Sequence, residues 1–144
     1  MKNLIYITLL FVLFICTKPA KAQDALLNLG YIPEIESLTV GISANSYELD
    51  ALFKSTDNTS GFGLRGGYMI TLLGDKYSSN FYIAPRLGYR FESYSDGTDD
   101  AEGLFYEAAA GFLLERFNFS VGYGNDELAE TEYISVKLGF AFYF

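Results

Sequence analysis

The sequence predicts an all-β chain, an antiparallel up-and-down barrel of eight strands that crosses a membrane. Three observations carry that expectation. Apolar and polar residues alternate with period two through nearly every segment beyond residue 24, which marks strands with one greasy and one mixed face. No stretch beyond residue 22 is apolar and long enough for a transmembrane helix, and the other structure able to span a bilayer is the closed β-barrel. The connections between alternating segments are short and long in turn, as in barrels whose turns face one compartment and whose loops face the other.

Residues 1–22 stand apart. Met1-Lys2-Asn3 is a basic start, residues 4–16 are apolar, and Ala20-Lys21-Ala22 is a small-x-small site before Gln23. That order describes a secretory signal peptide cleaved near Ala22-Gln23, and its core falls short of the ~20 residues a transmembrane helix requires. Phe14 and Ile15 precede Cys16 where a lipoprotein signal needs small residues. The expected mature chain, residues 23–144, is one domain with no cysteine, histidine or tryptophan. Cleavage takes the basic residues from ten to seven against 18 acidic ones, so the formal charge moves from −8 to −11. That balance disfavours nucleic-acid binding, which needs a basic face.

The first strand is expected over residues 25–32, with Leu27, Leu29 and Tyr31 on one face and a break at Pro33-Glu34, and a short amphipathic helix is the rival reading of that segment. Residues 37–44 alternate again, with Leu38, Val40, Ile42 and Ala44 on the apolar side. After Asn45-Ser46 the phase changes. Tyr47, Leu49, Ala51 and Phe53 now share a face opposite Glu48, Asp50 and Leu52. A one-residue slip flips every side chain, so Asn45-Ser46 is a tight turn or a bulge in one long strand. A turn makes eight strands and a bulge makes six, and eight is the expectation.

Residues 54–60 form a polar loop. Residues 61–73 place Phe62, Leu64, Tyr68, Ile70 and Leu72 outward, and Gly74-Asp75-Lys76 turns the chain. Residues 79–94 are the longest alternating run, with Phe81, Ile83, Pro85, Leu87, Tyr89 and Phe91 on one face. Pro85 cannot donate to a ladder and a closed barrel has no free edge, so a local bulge is expected there. Residues 95–102 are an acidic loop. Residues 104–114 and 117–124 are strands joined at Glu115-Arg116, and residues 125–132 are a second acidic loop. All long loops then fall on one side and all short turns on the other.

The last stretch, residues 133–144, is the most regular. Ile134, Val136, Leu138, Phe140, Phe142 and Phe144 form one apolar row ending on the terminal Phe. Its length suits an oblique membrane crossing, which takes about 9–11 residues per strand. This strand resembles the C-terminal sorting strand of bacterial outer-membrane β-barrels, and the whole pattern resembles the small OmpA-like and OmpX-like barrels of that superfamily. The resemblance implies residence in the outer membrane among lipid and lipopolysaccharide. It also implies recognition of Phe140, Phe142 and Phe144 by the barrel-assembly machinery.

With the apolar rows assigned to lipid, the opposite face collects Arg65, Arg86, Arg90, Glu92, Glu107, Glu115 and Lys137. Opposite charges inside a narrow lumen must pair, because an isolated buried charge costs several kcal/mol. An eight-stranded barrel is about filled by its own side chains. The expectation is therefore a charge network that plugs the lumen, with inward glycines making room for long side chains. A selective pore lined by the arginines is the sharper alternative. A soluble periplasmic barrel binding a small apolar ligand is the rival from another class.

Catalysis has little to stand on. The small outer-membrane enzymes of the resembled superfamily use a histidine, the mature chain has none, and Ser-His-Asp chemistry is excluded with it. No cofactor is expected. Asp96, Asp99, Asp100 and Glu102 have the oxygen-ligand density of a cation-binding loop, without EF-hand spacing. Bridging to Asp126, Glu127 and Glu130 would complete such a site. The plainer reading is a solvated acidic loop.

Overall fold

The computed structural model describes residues 25–74, 79–97 and 99–142. The expected signal peptide, residues 1–22, and Phe144 lie outside them. Among the described residues there are nine strand segments: β1 Ala25–Ile32, β2 Ser37–Ala44, β3 Tyr47–Ser55, β4 Thr59–Tyr68, β5 Ile70–Gly74, β6 Ser79–Tyr94, β7 Ala101–Leu114, β8 Phe117–Asp126 and β9 Thr131–Phe142. All pairings are antiparallel, in the order β4-β3-β2-β1-β9-β8-β7-β6, and β4 pairs with β6 to close the circle. β5 continues β4 along the same side of β6. The barrel therefore has eight staves.

Asn45 and Ser46 are a turn. Both have positive φ, 54° and 73°, and Ala44 pairs with Tyr47 across them. Two successive left-handed residues define the type I′ hairpin, whose twist matches that of the flanking strands. The phase change at this point is thus a reversal of the chain.

Pro85 is accommodated without a bulge of its own. The ladder to β7 runs unbroken through Pro85↔Ala108. The ladder on the other side stops at Gly67↔Arg86 and resumes at Ile70↔Ile83 in the same register. The N–H that proline lacks is the one that would point at Tyr68, so the chain gives up a ladder bond and keeps its register. Met69 sends its own N–H to Ser46 O at 2.7 Å. The bulge lies further along, between Thr71 and Leu73.

The two faces are inverted relative to a soluble protein. Leu38, Leu64, Leu87 and Leu138 are 50–60% exposed, while Arg65, Arg86, Arg90, Glu107 and Lys137 are at most 4% exposed. Aromatic pairs stand on the outer surface near both ends. Phe53–Phe62 and Tyr89–Phe91 lie toward the loop end, with centroids 5.5 and 5.1 Å apart. Tyr47–Tyr68 and Phe117–Phe140 lie toward the turn end, at 5.1 and 5.4 Å.

Pro33-Glu34 does more than break a strand. Pro33–Ile35 form a 3-10 turn that folds Ile35 into the mouth, where it packs in a buried cluster with Ile32, Leu52, Phe105 and Tyr133. Glu36 then reverses the chain with φ 50°.

Candidate functional site

The lumen beneath that apolar layer holds a closed ring of ion pairs. Lys137 Nζ donates to Glu48 Oε1 at 2.7 Å, and Arg86 Nε donates to Glu48 Oε2 at 2.7 Å. Arg86 Nη1 also donates to Glu107 Oε1. Glu107 Oε2 accepts from Arg65 Nη1 at 2.8 Å. Arg65 Nε and Nη2 reach Asp50 Oδ2 at 3.1 and 2.8 Å. Asp50 Oδ2 accepts in turn from Lys137 Nζ at 3.2 Å. Three cations and three carboxylates alternate around the circle, and each touches two of opposite sign.

The ring grows from local strand geometry. Asp50↔Arg65 and Arg86↔Glu107 are directly opposed residues on neighbouring strands, the closest approach a sheet provides. Gly67 is the register partner of both Glu48 and Arg86. With no side chain between them, those two meet across β4. A Cβ on Gly67 would lie 2.8 Å from Arg86 Cγ and 3.0 Å from Glu48 Oε2. Gly122 does the same beneath Glu107, whose carboxylate occupies the volume a Cβ would need. Ser120, beside Lys137 in register, accepts from Arg86 Nη2 at 2.9 Å.

A second group sits toward the mouth. Arg90 donates to Asp126 through Nε at 2.6 Å and Nη2 at 2.9 Å, and also to Glu92. Lys54 Nζ reaches Glu92 Oε1 at 2.9 Å. Toward the turn end the lumen is filled by neutral polar pairs, Asn28–Ser43 at 2.6 Å and Tyr82–Asn118 at 2.8 Å. The two charged groups join five cations to five carboxylates. A neutral, mutually bonded set is the form in which buried charge is tolerated.

Six of the seven sequence-predicted lumen residues are in these groups: Arg65, Arg86, Arg90, Glu92, Glu107 and Lys137. Glu115 is not. It stands exposed in the β7–β8 turn with φ 49°, because β7 ends at Leu114 and leaves it no inward face. Glu48, Asp50, Lys54 and Asp126 complete the network and were not among the candidates. Their signal was parity alone. Glu48, Asp50 and Lys54 alternate with Leu52 on one face of β3, and Asp126 continues the inward row Asn118, Ser120, Gly122, Gly124. Asp126 therefore turns away from any loop cation site, and it also caps Ala129 N–H at 2.9 Å. Asp96, Asp99, Asp100 and Glu102 are exposed. Among the described residues no three acidic, His or Cys side chains group so as to hold a metal. Of the C-terminal phenylalanines, Phe140 faces outward against Phe117, and Phe142 pairs through its backbone with Ala25.

No family model matches this chain, and no curated protein matches it in sequence. Solved structures with a similar fold include Neisserial surface protein A (NspA), at 13% identity and TM-score 0.43, covering 85% of this chain and 94% of that one. Ail, the attachment invasion locus protein of Yersinia pestis, is similar at 10% identity and TM-score 0.40, covering 83% of this chain and 95% of that one.

Proposed function

We propose that this chain is a small integral barrel of the bacterial outer membrane, with a lumen sealed by the charge network and a structural or interaction role carried by its outside. The observation that supports it is the inversion of faces. Apolar rows cover the outer wall between two aromatic bands, as contact with lipid requires. The ten charges of the two lumen groups are turned inward and neutralise one another. On this reading the chain acts as a scaffold, a surface-loop binder or an accessory subunit of a larger envelope complex. Lipid and lipopolysaccharide surround it, and the barrel-assembly machinery inserts it through Phe140, Phe142 and Phe144. Residues 1–22 direct export and are removed.

The same observation weighs against the alternatives. A soluble barrel that binds an apolar ligand needs its apolar rows inside, and here they stand outside. A solute channel needs an open axis, and on this reading the alternating ring and the layer around Ile35 fill it. The test is fractionation of expressing cells, gel mobility with and without boiling, and conductance in planar bilayers. The expected result is a detergent-dependent outer-membrane protein with a heat-shifted band and no conductance steps. A soluble periplasmic protein without a shift would overturn the membrane reading. Steady conductance, reduced on neutralising Arg86, would overturn the sealed lumen.

A further inference from the structure

The hexad has an asymmetry in how its members are supplied. Five of the six come from the consecutive staves β3, β4, β6 and β7: Glu48, Asp50, Arg65, Arg86 and Glu107. They sit side by side in the sheet, and their contacts can form before the barrel closes. Those five carry two cations against three carboxylates. The sixth, Lys137, comes from β9, the last strand, which makes the closing seam with β1. It reaches across the lumen to β3, 89 residues away from Glu48 and 87 from Asp50. The strands it passes over present small inward side chains at this level: Gly30 on β1 pairs with Lys137 and with Thr39 on β2. The second charged group, on Lys54, Arg90, Glu92 and Asp126, balances without β9.

We infer that Lys137 is the latch of barrel closure: the last strand delivers the cation that an otherwise complete, negatively unbalanced cluster lacks, so the lumen reaches neutrality only when β9 docks on β1. An open sheet leaves the Glu48–Asp50 pair of β3 one cation short, in water. A sheet closed without the lysine would bury that surplus charge. The ammonium thus favours the correct closing strand in the correct register. A two-residue slip of β9 on β1 would replace Lys137 at this level by Ser135 or Gly139, and the charge would go unmatched.

The test uses the full chain with Cys16→Ala, purified unfolded and refolded into detergent micelles. One cysteine pair, Leu27→Cys with Phe140→Cys, reports the β1–β9 seam, whose register joins those residues. A second pair, Leu27→Cys with Ile42→Cys, reports the local β1–β2 hairpin. Disulfide formation after dilution from denaturant is followed in each. Lys137→Met is expected to slow the seam disulfide by about tenfold or more and to leave the hairpin disulfide at its original rate. Lys137→Arg keeps the charge and is expected to close at near the original rate. Lys137→Met with Glu48→Gln removes one charge of each sign and is expected to recover most of the lost rate. The inference is overturned if Lys137→Met closes the seam as fast as the parent, or if it slows seam and hairpin alike. It is also overturned if the double variant closes no faster than the single one, including the case in which neither folds.

Discussion

Arg86 is the residue on which the ring is most exposed to test. Its guanidinium meets Glu48 Oε2 at 2.7 Å, Ser120 Oγ at 2.9 Å and Glu107 Oε1, and the whole group is inaccessible to solvent. Arg86→Met keeps most of the side-chain volume and removes the charge. Glu48 keeps Lys137 and Glu107 keeps Arg65, yet the ring is left with three carboxylates and two cations. Removing one partner of a buried pair costs about 3–5 kcal/mol. Total stabilities are about 5–15 kcal/mol, so this is a substantial share. With a urea dependence of about 2 kcal/mol per molar, the unfolding midpoint falls by about 2 M. The assay is urea unfolding in micelles followed by far-UV circular dichroism, since the chain has no tryptophan to report. Arg86→Met with Glu107→Leu removes a cation and an anion together, and it is expected to be more stable than Arg86→Met alone, because the remaining charges balance. A loss below about 1 kcal/mol for the single variant, or a double variant no better than the single, would refute the claim that neutrality of a buried ring holds the lumen together.

Four further outcomes follow from particular residues. Gly67→Ala and Gly122→Ala each force an ion-pair side chain aside, and each is expected to lower stability in the same unfolding assay by about 1–3 kcal/mol. Ser46→Gly relieves a left-handed residue with φ 73° and should raise stability by up to about 1 kcal/mol, measured by the midpoint shift. Pro85→Val restores the missing donor opposite Tyr68 and should add about 0.5–1.5 kcal/mol, with slower hydrogen exchange at positions flanking the gap. Phe144→Ser is expected to reduce the fraction of heat-shifted protein in outer-membrane fractions of expressing cells while leaving refolding into micelles unchanged. Equal losses in both settings would mean a packing role in place of an assembly signal.

Much of this architecture is legible in one dimension. The pleat of a strand sends successive side chains to opposite faces, so period two alone assigns each residue of a run such as Ser79–Tyr94 to the outer wall or the lumen. Asn45-Ser46 is legible for the same reason, since a change of phase needs a turn or a bulge and two turn-prone residues stand at it. Alternation of loop lengths then orders the staves. The pattern weakens where a strand ends. Parity alone does not say that β7 stops at Leu114 and drops Glu115, that β8 runs on to Asp126, or that Ile35 folds back into the mouth, because each depends on where neighbouring strands stop pairing.

The partners across the lumen belong wholly to the closed structure. Lys137 meets Glu48 only because eight staves join with one stagger, which sets the height of every inward residue against the far wall. Likewise, Gly67 reads as an ordinary inward glycine until β3 and β6 both pair with β4 and bring Glu48 and Arg86 to either side of it. Side-chain direction is a property of each strand's own backbone, and the sequence carries it. Which charge neutralises which is a property of the assembled sheet, and for Lys137 it exists only once the last strand has met the first.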